Sequence, residues 1–328
     1  MAEKKHSELY ILKILTEYTD ENHLLSRKEI QDILKEEYGI IIDRRTFYSA
    51  LNVLDRMGID IATFEENRRG YYLRERQFEF SEVLLLCNAI HASSYIPRKA
   101  SVDLVDKLLA TQSKYRVKAY HDEIYLPNPK KTENKELLYN IEVISSAMRN
   151  RHGISFVYCS YNIHKRLVER HDGKKYRMNP LYIVYQESKP YLIAKDPEME
   201  EYRHFRLDRI RKIKEDNRET EKFSSKDPYS YTSDRLFMYS GEKIEFTARC
   251  NMKILDYMID LFGKSVVIHK EDEEYFILRA SSTRQDIIWL SQEYLDAMEI
   301  LEPTEIRNDI KKNLERCLVR YRLRNTYK

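Results

Sequence analysis

The sequence predicts a multidomain α+β protein, and three observations carry that prediction. Residues 1–75 read as three helices and a hairpin, residues 153–215 as a β-rich segment, and the chain beyond Gly241 as alternating strands and helices. A length of 328 residues is enough for several cores. The chain is 42% hydrophobic and 34% charged with only 7 Gly and 8 Pro, the composition of an ordered protein.

In the first segment, Leu9, Ile11, Leu12, Ile14 and Leu15 give an amphipathic helix over 7–18. Ser26 with Glu29 forms a capping-box pattern that starts a second helix, which Gly39 ends. Asp43 caps a third helix burying Phe47, Ala50, Leu51 and Leu54, and Gly58 closes it. Residues 59–73 then supply two strands around the polar tip 65–70. This is the order of a winged helix-turn-helix, assigned to residues 1–75.

Residues 76–150 read as a helical connector and dimerisation region. One nearly all-apolar helix spans 80–95, another follows Pro97 through Val102, Leu104, Val105, Leu108 and Leu109, and a third covers 134–148. Residues 151–216 form the β-rich domain, with a hairpin whose polar turn is read at 186–190. The polar stretch 217–239 is a linker. A C-terminal α+β domain over 240–328 follows as strand 243–250, helix 252–262, strands 265–269 and 275–280, a helix around 286–291, strand 297–301 and helix 304–321.

The net charge of +3 is unevenly spread. Residues 1–75 carry 12 Lys/Arg and 15 Asp/Glu, a net of −3, whereas residues 153–215 carry 14 and 9, a net of +5. No apolar run is long enough to span a membrane and the polar N-terminus is no signal peptide, so the expectation is a cytoplasmic protein without a membrane partner. Cys87, Cys159, Cys250 and Cys317 are scattered singly, without metal-ligand spacing; they read as reduced thiols, and neither metal nor cofactor is expected.

The third helix leaves Arg44, Arg45, Tyr48, Ser49 and Asn52 on its open side. Arginines in the first turn of a recognition helix meet base edges in the major groove. Thr46, Tyr48 and Ser49 suit phosphates, and Arg68 and Arg69 at the hairpin tip suit the backbone or minor groove. Arg27 and Lys28, at the start of the second helix, complete the candidate DNA-binding set. The plainer alternative is a solvated helix face; the helix-turn-helix order favours duplex DNA.

In the β-rich domain, Arg203, Arg206 and Arg209 are interleaved with Phe205, Leu207 and Ile210. Buried cations need anionic partners, which suggests a small β-barrel holding something negatively charged. Within the strand, Arg203, Phe205 and Leu207 share one face and His204 and Arg206 the other, with Arg209 after a bend. The candidate ligand-binding set is Tyr158, Ser160, Tyr161, Tyr191, Arg203, His204, Arg206 and Arg209. The alternative is that the arginines pair with Asp196, Glu200, Glu201 or Asp208 and rigidify the barrel.

Five stretches resemble the WYL-domain transcriptional regulators of bacteria: the winged-helix residues (Ser26, Asp43–Tyr48, Gly58, Gly70–Leu73), Ile154–Tyr158, Met178–Leu181, Pro190–Ala194 and Phe205–Ile210. The eponymous Trp-Tyr-Leu stands here as Pro190-Tyr191-Leu192. The resemblance covers the whole chain. It implies an Sm-like, SH3-type barrel that senses a nucleotide or nucleic-acid fragment and controls an attached DNA-binding domain, acting as a homodimer, in several cases on phage-defence or DNA-damage genes. The function expected is a ligand-responsive regulator, a repressor, on a palindromic promoter operator.

Two rival readings are weaker. A single-stranded nucleic-acid module would use the basic barrel as its effector. Glu187-Ser188-Lys189 matches a nuclease Glu-x-Lys, yet it falls in a predicted turn without the preceding Asp. Cys159 and His164 do not make a convincing nucleophile and base, and there is no phosphate-binding Gly loop or HExxH, so no catalytic residue is expected.

Overall fold

Ile11, Ile14 and Leu15 recur at helical spacing and are fully buried, which seats α1 (Ser7–Tyr18) in the N-terminal core. The structure is a computed structural model and describes residues 6–123, 131–186, 189–220 and 242–323. The chain divides into two units, Met1–Glu133 and Asn134–Lys328.

In the first unit, α2 (Arg27–Tyr38) begins at Ser26, whose hydroxyl accepts the Glu29 N–H while the Glu29 carboxylate accepts the Ser26 N–H. Gly39 ends it in the left-handed region at φ 66°. Asp43 caps α3 (Arg44–Arg56) by accepting the Thr46 N–H at 2.7 Å, and Phe47, Ala50, Leu51 and Leu54 face the core. The strands β1 (Ile61–Ala62) and β2 (Tyr72–Leu73) pair antiparallel. The tip between them is not a plain polar loop. One helical turn, α4 (Phe64–Asn67), occupies it, because Glu66 accepts the Thr63 N–H and closes a turn. Gly70 is required there: a Cβ would stand 2.8 Å from the Leu25 carbonyl oxygen, where residues 25 and 71 bridge.

Next come α5 (Phe80–Ala92), α6 (Arg98–Leu109) and α7 (Lys114–Glu123), with Val83, Cys87, Val105, Leu109 and Tyr120 as their core. A polar tie joins this bundle to the first three helices. Asp20 accepts from the Ser113 hydroxyl (2.5 Å) and from the Asn22 and His23 N–H groups. Arg76 donates to the carbonyls of Thr16, Thr19 and Thr111.

The second unit opens with α8 (Leu137–Asn150), which packs on the central sheet. That sheet comprises β3 (His152–Tyr161), β4 (Leu167–Glu169), β5 (Lys175–Gln186), β6 (Lys189–Lys195), β7 (Tyr202–Arg206) and β8 (Ile210–Glu219). All pairs are antiparallel, in the order β8–β3–β5–β6–β7, with β4 on the far end of β3. The expected barrel is not closed. Among the described residues no pair joins β7 to β8; a 3-10 turn, Leu207–Arg209, separates them. Its carbonyls are already occupied. The Asn134 amide donates to Asp208 and Ile210 (both 2.9 Å), and the Asn140 amide donates to Leu207 (3.4 Å) and Ile210 (2.8 Å). Leu207 therefore leaves the strand instead of sharing a face with Arg203 and Phe205.

Two further departures are local. Pro190 lies within β6 opposite Tyr185, so the hairpin turn is shorter than read; Glu187 and Ser188, and with them the nuclease-like triplet, lie outside the described residues. In β8 the register shifts: Val157 pairs with Arg211 and Ser155 with Lys214, so Lys212 and Ile213 together oppose one residue, with Lys212 at φ 54°. β8 runs to Glu219, into the stretch read as linker, and residues 221–239 of that linker lie outside the described residues.

The C-terminal domain comprises β9 (Lys243–Asn251), α9 (Leu255–Phe262), β10 (Val267–Lys270), β11 (Tyr275–Thr283), α10 (Arg284–Glu293), β12 (Met298–Glu302) and α11 (Thr304–Leu323). Its sheet order is β10–β11–β9–β12, the antiparallel split β-α-β arrangement. Phe246, Ala248 and Cys250 alternate into its core against Met258, Phe276, Leu278 and Ile287.

Candidate functional site

Two cationic constellations stand out, one in each unit. On α3 the Asp43 cap fixes the first turn, and Arg44, Arg45 and Ser49 are exposed while Thr46 and Tyr48 are half-buried. The Arg44 guanidinium lies 5.6 Å from the centre of the Tyr48 ring. Phe47 meets Tyr71 edge-to-face at 5.3 Å, which ties α3 to the base of the hairpin. Burial pushes the Tyr71 hydroxyl well above its ordinary pKa, helped by its hydrogen bond with Tyr48. At the tip, Asn67 accepts the N–H groups of Arg69 (2.7 Å) and Gly70 (2.9 Å), which holds Arg68 and Arg69 exposed. Arg27 is half-buried and donates to Gln31 (3.1 Å), whose amide donates to the Ile42 carbonyl; Lys28 is exposed. Arg44, Arg45, Arg68 and Arg69 form no ion pair with another described residue, whereas Arg74 binds both Asp60 and Glu66.

In the central domain the cluster is built around Tyr158 of β3. Its ring packs on Phe205 (5.2 Å) and its hydroxyl accepts the Arg206 N–H at 3.2 Å. Burial pushes the Tyr158 hydroxyl up, while the charges of Arg209 and Arg206 pull it back. Arg206 forks onto Asp208 (3.0 and 2.7 Å), which is itself buried. Burial opposes the Arg206 charge, but the Asp208 carboxylate prevails and holds the guanidinium above its usual range. Arg209 differs: its Nε is buried with no partner among the described residues. Tyr191 pairs in register with Arg206 and shares its face, as does His204 two residues earlier.

The remaining candidates are placed differently. Arg203 lies on the opposite face of β7 and pairs with Asp196 at 3.4 Å. Ser160 follows Tyr158 on the same face of β3, but Tyr161 lies on the other and is half exposed. A residue not anticipated is Arg170, whose guanidinium is 5.9 Å from the Tyr158 ring centre. Its signal, a lone arginine after β4, is too common to single out. The result is a group of three arginines about one phenol, Arg206 and Arg209 half-buried and Arg170 exposed, with a carboxylate neutralising one of them. Such a group offers charge-assisted hydrogen bonds and a ring edge to an anion. Among the described residues no His, Cys, Asp or Glu group could hold a metal ion, and no helix is long and apolar enough to cross a membrane.

A family model for the WYL domain matches residues 139–215. This segment of the chain is a WYL domain. The WYL match runs from α8 into β8 and so contains Tyr158, Arg170, Tyr191, Arg206 and Arg209. Within the WYL domain, Leu192 of the eponymous triplet is fully buried, and Pro190 occupies the tryptophan position. Solved structures that align with the chain include the following two. Proteasome accessory factor B/C (PafBC) of Arthrobacter aurescens is 15% identical over 96% of this chain and 48% of that one, at a TM-score of 0.28; the chain spans about half its length. A crystal structure described as a CRISPR Cas-related protein is 16% identical over 76% of this chain and 73% of that one, at a TM-score of 0.36. No curated protein matched. The WYL assignment rests on the family match.

Proposed function

We propose that this WYL-domain protein is a ligand-responsive transcriptional regulator that acts by binding rather than by catalysis. The first unit serves as a winged helix-turn-helix, with α3 in the major groove and the β1–β2 hairpin on the flanking backbone. The observation that carries the reading is the presentation of Arg44 and Arg45, exposed and in no ion pair with any described residue, in the capped first turn of α3, with Arg68 and Arg69 likewise outside any such ion pair at the hairpin. Cations that lack carboxylate partners are available to phosphates and base edges.

The WYL domain then senses a nucleotide or short nucleic-acid fragment through Tyr158, Arg206 and Arg209. Binding there changes operator affinity, and by linkage the operator changes effector affinity by the same factor. A homodimer reads a palindromic promoter operator and represses by occupancy. The test is a gel shift on the gene's own upstream DNA. Arg44→Ala with Arg45→Ala is expected to weaken operator binding at least tenfold while effector binding to the WYL domain persists; undiminished operator affinity would sink the proposal.

A further inference from the structure

The strand β3 has two faces. Ile154, Phe156 and Tyr158 turn toward the aromatic core, while Gly153, Ser155 and Val157 belong to the opposite face. On that opposite face Ser155 stands in register with Arg177 of β5 on one side and Lys214 of β8 on the other. Val157 stands likewise between Lys175 and Arg211. Residues in register share a face, so four cations surround a floor of small side chains. Lys175, Arg177 and Lys214 are exposed and Arg211 is half-buried.

The arrangement depends on the bulge in β8. Arg211 and Lys214 are three residues apart and would point to opposite sides of a regular strand. The extra residue turns both to the same side and keeps Ile213 in the core, with Lys212 held in the left-handed region. None of the four cations forms a hydrogen bond or ion pair with another described residue. The neighbouring acids are already engaged: Asp216 with Arg218, and Glu169 and Glu136 with Lys212.

Along β5 the two cations are about 6.7 Å apart, and from β5 to β8 the distance is about 9.6 Å. Like charges this close repel unless an anion lies across them. A polyanion with charges at comparable spacing is the phosphodiester backbone. No aromatic side chain stands in register among the four, whereas single-strand platforms interleave their cations with rings that stack on unpaired bases. We propose that this face of the WYL domain is a sequence-independent docking platform for the phosphate backbone of duplex DNA. It lies across β3 from the Tyr158 cluster and draws on none of its residues, nor on Arg44 and Arg45.

The test uses the full chain carrying Arg44→Ala and Arg45→Ala, so that the first unit's arginines do not mask the platform. Anisotropy of a labelled random-sequence duplex is followed against KCl concentration. Each cation that neutralises a phosphate contributes about 0.9 to the slope of log affinity against log salt. Lys175→Gln, Arg177→Gln, Arg211→Gln and Lys214→Gln together are expected to flatten that slope by about 3.6 and to lower low-salt affinity at least tenfold. Lys175→Arg with Lys214→Arg is expected to leave the slope unchanged. Should the fourfold variant lose its circular-dichroism melt, Arg177→Gln and Lys214→Gln singly, each expected to remove about 0.9, decide the matter. An unchanged duplex slope overturns the proposal, and so does a change confined to a single strand of the same sequence.

Discussion

Asp208 is almost fully buried, and both of its oxygens go to the Arg206 guanidinium. Removing Arg206 would strand that carboxylate in a site of low dielectric, which is the costly way to break a buried pair. Arg206→Ala is therefore expected to destabilise the second unit by about 2–3 kcal/mol. Arg209 has no such dependent, and its buried Nε lacks a described partner. Arg209→Met is expected to be neutral or stabilising while abolishing the effector response. Urea unfolding of both variants checks the contrast; equal losses would show that Arg209 has a structural partner after all. The sequence named Asp196 and Asp208 among possible acid partners, but not which arginine would go without. That is settled only when a 3-10 turn brings residue 208 back beside 206 and carries 209 elsewhere.

At the scale of elements, the tie between the α1–α2 turn and the start of α7 has one buried carboxylate at its centre. Burial works against the Asp20 charge, but the Ser113 hydroxyl, His23 and the Asn22 N–H outweigh it and hold its pKa below the usual 3.8. A group depressed in the folded state contributes stability above its unfolded pKa and loses it as pH falls through the folded one. The melting temperature of the first unit is thus expected to drop below about pH 4. Asp20→Asn removes this component of the drop and costs about 1.5–3 kcal/mol at neutral pH. Melts at a series of pH values measure both. Caps and turns of this local kind explain why α2 and α3 were legible: Ser26 with Glu29, Asp43 and Gly39 act on their own neighbours. The helix α7 was not, because of its residues only Val117 and Tyr120 join the hydrophobic core, and its cap Ser113, which accepts the Arg116 N–H, also donates its hydroxyl to a residue 93 positions away. Barrel closure was also illegible. It turns on the Asn134 and Asn140 amides, some 70 residues before the carbonyls they occupy.

For the whole molecule, the boundary at Glu133 and Asn134 predicts how the chain comes apart. Each unit holds its own buried core, with Phe47, Ile30 and Leu54 in one and Phe156, Ile154 and Phe276 in the other. Fragments 1–133 and 134–328, expressed separately, are each expected to unfold cooperatively, and a fragment without a sigmoidal transition would refute that division. The helix 134–148 was read with the connector because hydrophobic periodicity announces a helix without naming the surface it covers. Only its two buried asparagines, unusual on an apolar face, pointed to a backbone partner.

The bulge in β8 has a consequence for how this strand tolerates change in length. Deleting Lys212 would leave Ile213 opposite Phe156 and keep Arg211 and Lys214 beside Val157 and Ser155, so the inside-outside pattern survives. Deleting or inserting a residue within the regularly paired run Lys214–Asp216 would invert every side chain on one side of the change. Position 212 is thus an expansion joint in the strand, a place where an ancestral or engineered version of this sheet can gain or shed a residue without turning itself inside out.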